Sequence, residues 1–149
     1  MTLFDTISEG IKKAMIAKDK TRLEALRFAK KEFLEAKTAK GAEGELSDET
    51  ALKILQKMVK QRKESAEIYT QQGRPELAEN ELNEVKVLEE YLPKEFSNEE
   101  LTQAIQDIIK EVSAQSIKDM GKVMGVASKK LAGRASGKAI SDKVKELLS

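Results

Sequence analysis

Apolar side chains recur every three or four residues along most of this chain, with charged and polar residues between them. This period places the apolar residues on one face of an α-helix, so the pattern predicts a succession of amphipathic helices. The predicted helices cover, in approximate numbers, 3–18, 21–39, 47–72, 75–92, 97–112, 116–131 and 139–148. No segment alternates apolar and polar residues and none contains a β-branched run, so we predict no sheet.

Residues that favour helix ends mark the boundaries between the first four predicted helices. Thr21 and Glu24 form a capping-box sequence and predict the start of the second helix. Ser47, followed by two acidic residues, predicts the start of a long third helix. Gly73 fits the end of that helix, and Pro75 fits the first turn of the next. Because this connection is short, we expect the third and fourth helices to pack antiparallel as a hairpin.

Pro93 stops the fourth helix and marks the predicted domain boundary. Ser97 with Glu100 forms another capping-box sequence and predicts the start of the fifth helix. The sequence therefore predicts an all-α protein. Residues 1–92 form an N-terminal helical domain with a long helical hairpin, and residues 97–149 form a small C-terminal three-helix domain, the tail.

The residue types exclude several kinds of chemistry. The 149 residues include no Cys and no His, which removes disulfides, thiolate nucleophiles, imidazole bases and Cys/His metal sites. No run matches a calcium-binding loop, and the acidic pairs lie on predicted surface helices instead of in a shielded pair. We therefore expect no catalytic residue, no metal and no cofactor in this chain. Aromatics are only 4% of the residues and Trp is absent, so the predicted core is aliphatic.

The start of the chain does not resemble a targeting segment. It carries Asp5 and Glu9 early and has no long apolar run, so we expect no signal peptide. No window approaches the roughly 18 consecutive apolar residues that a membrane-spanning helix requires. The absence of Cys fits a reducing compartment. The expected location is therefore the cytoplasm, without membrane contact.

The net charge of +1 conceals an uneven distribution of basic and acidic residues along the chain. Residues 1–40 have ten basic and six acidic side chains, and residues 41–115 have nine basic and seventeen acidic ones. Residues 116–149 have eight basic and three acidic side chains. Such an order is typical of polyanion-facing surfaces around an acidic middle, although solvated helix faces are the simpler interpretation, above all for the N-terminal block.

The densest combination of cations and glycines lies near the C-terminus. The candidate nucleic-acid-binding residues are Lys118, Gly121, Lys122, Lys129, Lys130, Gly133, Arg134 and Lys138. Gly133 and Gly137 would let a phosphate approach the backbone, and the free N–H groups of the seventh helix would receive it. Cations at a helix end also satisfy its last carbonyls, which explains two or three of them. No aromatic lies beyond Phe96, so base stacking is not expected there. Arg27, Lys30 and Lys31 form a secondary basic face.

Two other features of this region involve glycines. The stretch from Gly133 to Lys138 looks like a phosphate-binding loop, but its glycine spacing is one residue short and Ala139 follows the lysine. Gly121 and Gly125 lie inside the predicted sixth helix, where each costs about 1 kcal/mol relative to Ala. We favour close approach of a neighbouring helix as the reason. The alternative is close approach of a nucleic-acid backbone.

Several stretches resemble a known family. They are 119–125 (DMGKVMG), 129–135 (KKLAGRA), 59–65 (VKQRKES), 73–77 (GRPEL) and 88–93 (LEEYLP). On these motifs the chain resembles the GatB/YqeY family over its full length, as a stand-alone YqeY-type protein. The resemblance implies an all-helical fold whose tail is similar to the last domain of the B subunit of the glutamyl/aspartyl-tRNA amidotransferase. Related domains in some glutaminyl-tRNA synthetases help to hold tRNA.

What the resemblance implies is tRNA association through the tail. The matching positions are Gly121, Lys122, Met124, Lys129, Gly133 and Arg134. The family often has Asp or Asn where Ser136 stands. The chemistry of the amidotransferase lies in a large separate domain to which nothing in this chain corresponds.

The leading hypothesis is an accessory or adaptor protein that binds tRNA, or a tRNA-handling enzyme, through its tail. An aminoacyl-tRNA synthetase or an amidotransferase is the expected protein partner, and sequence-specific DNA binding is not expected. One alternative is a non-catalytic component of a glutamine-dependent tRNA amidotransferase system. Another is a protein–protein interaction module that uses the acidic third and fourth helices.

Overall fold

The computed structural model describes residues 1–149 and contains α-helices but no strand, which confirms the all-α prediction. The helices are α1 Leu3–Ala17, α2 Lys20–Thr38, α3 Asp48–Gln71, α4 Pro75–Glu89, α5 Asn98–Glu111, α6 Met120–Lys130 and α7 Gly137–Leu148. A 3₁₀ turn, Ile117–Asp119, leads directly into α6. No helix is both long enough and apolar enough to span a membrane.

The chain divides into two compact units, Met1–Leu92 and Pro93–Ser149. In the first unit, α1, α2 and the α3–α4 hairpin surround one aliphatic core. Its fully buried side chains include Ile7, Leu26, Phe33, Leu55 and Leu88. Burying such a side chain contributes roughly 1.5–3 kcal/mol, so these stripes supply the main driving force for the unit.

The start of α2 differs from the prediction. The carboxylate of Asp19 accepts a hydrogen bond from the backbone N–H of Arg22 at 3.1 Å, so Asp19 is the N-cap. Lys18, with a φ of 56°, ends α1 immediately before it. The predicted Thr21–Glu24 capping box is therefore wrong, because a turn this tight places a good capping residue before Thr21.

The α3–α4 hairpin extends beyond the core of the first unit. The core cluster reaches Val59 on α3 and Val85 on α4. Between these residues only Ala66 and Ala78 are buried. We call residues 60–84 the hairpin arm, a pair of helices held by small side chains instead of a broad apolar interface.

A half-buried ion pair joins the two helices of the hairpin arm. Arg62 Nε lies 3.2 Å from Glu84 Oε2, and the guanidinium lies 5.2 Å from the centre of the Phe28 ring. Partial burial raises the pKa of nearby Glu81, and the charge of Glu84 adds to this effect while Arg62 opposes it. One guanidinium therefore faces two carboxylates.

Gly10 of α1 is required by close packing. A Cβ added there would collide with the hydroxyl of Tyr91 and would lie 3.1 Å from Leu26 Cδ1. We expect Gly10→Ala to lower the free energy of unfolding by about 1–3 kcal/mol, as overpacking does. Urea denaturation followed by circular dichroism measures this loss. In a Tyr91→Phe background the loss should shrink, and an equal loss in both backgrounds would contradict the proposed collision.

The second unit is a bundle in which α5, α6 and α7 pack against one another. Its core contains Leu101, Ile105, Ile108, Val123, Ala127, Leu131, Ile140 and Val144. The Ser97–Glu100 capping box is confirmed, since Ser97 Oγ accepts from the Glu100 N–H and the Glu100 carboxylate accepts from the Ser97 N–H. These hydrogen bonds lower the pKa of Glu100. This bundle positions the candidate site on α6.

Candidate nucleic-acid interface

α6 turns one face inward and leaves the opposite face open. Val123 and Ala127 are fully buried against α5 and α7. The outward residues, at helical intervals of three and four, are Lys118, Gly121, Lys122, Gly125 and Lys129, and all of them are exposed. We call these five residues the α6 outer face.

The lysines of the α6 outer face have exposed, unpaired ammonium groups. Lys118, Lys122 and Lys129 form no ion pair and no side-chain hydrogen bond within the protein. They follow one another at intervals of four and seven residues, so they form a row along the helix. The charge of Asp119 interacts with that of Lys122, but no carboxylate lies within ion-pair distance of any of the three ammonium groups, so this face keeps a positive field.

The glycines of the α6 outer face correct the packing interpretation. A Cβ built on Gly121 or Gly125 would meet no atom within 4 Å. No neighbouring helix therefore requires a glycine at either position, and the expectation of close helix approach is wrong. The two residues instead leave the main chain of α6 bare beside the lysine row, at a cost of about 1 kcal/mol each in helix propensity.

The turn before α6 fixes where Lys118 emerges. The carboxylate of Asp119 accepts a hydrogen bond from the Gln115 N–H at 2.9 Å, and Ser116 Oγ accepts from the Lys118 N–H at 3.3 Å. The bond from Gln115 is the main reason that the pKa of Asp119 is lowered. These two hydrogen bonds therefore stabilise the 3₁₀ turn that positions Lys118 at the start of the row.

Two of the predicted cations have structural partners. Lys130 Nζ lies 2.5 Å from a carboxylate oxygen of Glu111 on α5. Arg134 Nε donates to the carbonyl of Lys94, and its guanidinium lies 4.0 Å from the centre of the Phe96 ring. The Phe96 N–H in turn donates to the Arg134 carbonyl at 2.8 Å. Both cations have partners within the second unit and are therefore less available to a ligand than the lysine row.

The corner after α6 presents only some of the predicted phosphate contacts. Gly133 has a φ of 79° and is buried, so its main chain cannot receive a phosphate as predicted. Ser136 caps α7, its Oγ accepting from the Ala139 N–H at 3.1 Å. Asp and Asn cap helices as well as Ser does, so either residue could take this position. Gly137 and Lys138 follow in the first turn, and both are exposed.

Sequence reasoning missed the role of Lys143. It is only 7% exposed, and its Nζ lies 3.1 Å from Glu146 Oε2. The signal was available, because Lys143 lies between Ile140 and Leu147 at helical spacing and so falls on the apolar face of α7. Its charge therefore does not add to a ligand-binding surface.

The secondary basic face lies on the outer side of α2. Arg27 and Lys31 are exposed, whereas Lys30 is half-buried with its Nζ 5.8 Å from the centre of the Phe4 ring. Leu34, Glu35 and Thr38 line a shallow depression of about 360 Å³ with these cations. The depression is lined by α2 alone, which makes it a weaker candidate than the α6 outer face.

Fold and site together define a small all-α protein in which a short three-helix bundle carries an unpaired cationic helix face. The chain belongs to the Yqey-like protein family, whose model matches residues 4–148. It is also similar to "Altered inheritance of mitochondria protein 41, mitochondrial" of Clavispora lusitaniae, with 32% identity over 114 residues. That match covers 75% of this chain and 65% of the other protein's length.

Proposed function

We propose that this protein is an accessory or adaptor that binds tRNA through the α6 outer face. The observation that carries the proposal is the row formed by Lys118, Lys122 and Lys129, whose exposed ammonium groups form no ion pair and which borders two exposed glycines. Cations that are neutralised internally gain little from phosphate, whereas unpaired lysines release condensed counterions when they bind it. Lys138 adds a further free cation at the start of α7.

Support for tRNA as the polyanion comes from the resemblance of the tail to the last domain of the amidotransferase B subunit. Gly121, Lys122 and Lys129 are among the positions that carry this resemblance, and all three lie on the α6 outer face. An aminoacyl-tRNA synthetase or an amidotransferase is the partner that such an adaptor would serve. The proposal assigns the chain no reaction of its own.

The proposed compartment is the cytoplasm, because a chain without Cys suits a reducing environment. The name of the Clavispora lusitaniae relative assigns that protein to mitochondria. Cell fractionation with an antibody against this protein tests whether the chain is found in the cytoplasm or in mitochondria.

Fluorescence anisotropy of labelled bulk tRNA against the full-length protein, at two salt concentrations, tests the proposal. We expect salt-sensitive binding, with a log–log slope of about −0.7 to −0.9 for each phosphate neutralised. The absence of binding even at low salt would show that the α6 outer face is only a solvated surface.

The hairpin arm favours protein docking as a second candidate function. Ile68 and Leu82 are 51% and 44% exposed on it, and residues 60–84 carry six acidic and four basic side chains. Exposed apolar residues surrounded by acidic side chains are typical of a surface that binds a partner protein with a basic, partly apolar surface. An Ile68→Glu/Leu82→Glu variant that retains tRNA binding but loses a protein captured by the wild type would support this function.

A further inference from the structure

The α6 outer face consists of two parallel rows with different chemistry. At 100° per residue, Lys122 and Lys129 of α6 fall within one narrow sector, and Gly121 and Gly125 fall in the adjacent sector, while Lys118 precedes them in the 3₁₀ turn. At a rise of 1.5 Å per residue the part of the row from Lys122 to Lys129 is about 10 Å long, and Lys118 extends it, so the row can follow several consecutive phosphates. A ligand that matches this face therefore presents a phosphate row beside a surface that the bare main chain can touch.

Single-stranded nucleic acid does not match the face. Proteins that hold single strands combine cations with aromatic rings on which the bases stack. The second unit has one aromatic residue, Phe96, and the guanidinium of Arg134 covers its ring. The face offers charge and main chain but no stacking platform.

B-form DNA matches poorly for two reasons. Its minor groove is about 6 Å wide, which is too narrow for a helix of about 10–12 Å diameter. Its major groove admits a helix in which Lys can hydrogen-bond guanine, but the two glycines offer no side chain to any base edge. The five residues of the α6 outer face are lysines and glycines only.

A-form RNA offers the complementary surface. Its minor groove is wide and shallow and displays ribose 2′-hydroxyls beside the phosphates. Helical carbonyls keep a second lone pair that can accept a hydrogen bond from a 2′-hydroxyl. At Gly121 and Gly125 no Cβ would hold a ribose away from those carbonyls.

We propose that the α6 outer face binds double-helical, A-form RNA from the minor-groove side, with the lysine row on phosphates and the glycine row against ribose. This inference rests on the proposed function and narrows its ligand to duplex segments, recognised by shape and not by base sequence. In this proposal Gly121 and Gly125 contact the ligand directly, although glycine makes the helix less stable than alanine would.

Three labelled probes test the ligand class with the full-length protein at one salt concentration. They are an RNA duplex of about 16 base pairs, the span of a double-strand-binding domain, a DNA duplex of the same sequence, and single-stranded oligo(U) of the same length. We expect the RNA duplex to bind at least about tenfold more tightly than either other probe. Equal affinity for oligo(U) or for the DNA duplex would overturn the inference.

A glycine variant tests the contact itself. We expect Gly121→Leu/Gly125→Leu to weaken RNA-duplex binding at least about tenfold while leaving the salt slope unchanged, because no lysine is removed. Its thermal midpoint should equal or exceed that of the wild type, since both positions are open and leucine favours helix. The control Gln103→Leu/Gln106→Leu places two leucines on the exposed side of α5, removes the Gln103–Asp107 hydrogen bond, and should bind normally.

The outcomes separate this inference from the function on which it rests. If tRNA binds with no preference for the RNA duplex, or if the glycine variant binds the duplex like the wild type, the inference fails and the tRNA-binding proposal stands. If tRNA does not bind at all, the proposed function fails and the inference fails with it.

Discussion

Replacing Lys118, Lys122 and Lys129 together by Ala is expected to weaken tRNA binding roughly 100-fold. A hydrogen bond to a charged group contributes on the order of 1 kcal/mol or more, so three lost contacts remove about 3 kcal/mol, and each 1.4 kcal/mol is a factor of ten. The log–log salt slope should become shallower by about 2 to 3, because three fewer phosphates are neutralised. Anisotropy titrations at several salt concentrations measure both quantities.

A charge-matched control separates the site from overall charge. Lys12→Ala/Lys13→Ala/Lys20→Ala removes three exposed lysines from the first unit and changes the net charge by the same amount. It should bind tRNA nearly as well as the wild type. Neither variant removes an ion pair or a side-chain hydrogen bond, so circular dichroism spectra should remain unchanged. Equal losses in the two variants would mean that only net charge attracts tRNA, and unchanged binding in the first would reject α6 as the site.

The helices could be predicted because each has a clear apolar stripe and most have capping residues at the expected positions. The Ser97–Glu100 capping box is such a case, since both of its hydrogen bonds are local in sequence. The start of α2 failed because Asp19 and Thr21 are both good caps, and the choice between them depends on how tightly α1 turns into α2. Local signals thus determine which helices exist better than where each begins.

The candidate site could be predicted only in part. The row of Lys118, Lys122 and Lys129 follows from spacing alone, and the structure leaves these residues unpaired. That Lys130 pairs with Glu111 and Arg134 with the Lys94 carbonyl could not be read from the sequence, because the partners lie 19 and 40 residues away. Tertiary packing decides which cations of a basic segment remain available to a ligand.

The role of the α6 glycines also could not be predicted from the sequence. A glycine inside a helix has one sequence signature whether a helix or a ligand lies against it. The open space around Gly121 and Gly125 distinguishes the two cases here. Residues that weaken a local structure without serving its packing are expected at functional surfaces.

Arg134→Ala is expected to destabilise the second unit by about 2–4 kcal/mol. It removes a charged hydrogen bond to the Lys94 carbonyl, worth about 1.5–3 kcal/mol, and a cation–π contact with Phe96, worth about 0.5–1 kcal/mol. In a small unit each kcal/mol lowers the melting temperature by about 4–8 °C. Amide NMR signals of residues 97–149, followed during heating, report this transition separately from the first unit.

Two further variants tell a structural role of Arg134 from a role in binding tRNA. Arg134→Lys keeps the charge but loses the planar fork that reaches Lys94 and stacks on Phe96, so it should recover little of the stability. In a Phe96→Leu background the loss caused by Arg134→Ala should be smaller, since one of its two partners is already absent. A variant that melts like the wild type yet loses tRNA binding would instead make Arg134 a direct contact. Removing Arg134 together with Lys129 therefore cannot locate the interface, because loss of binding would follow equally from a missing contact and from an unfolded bundle.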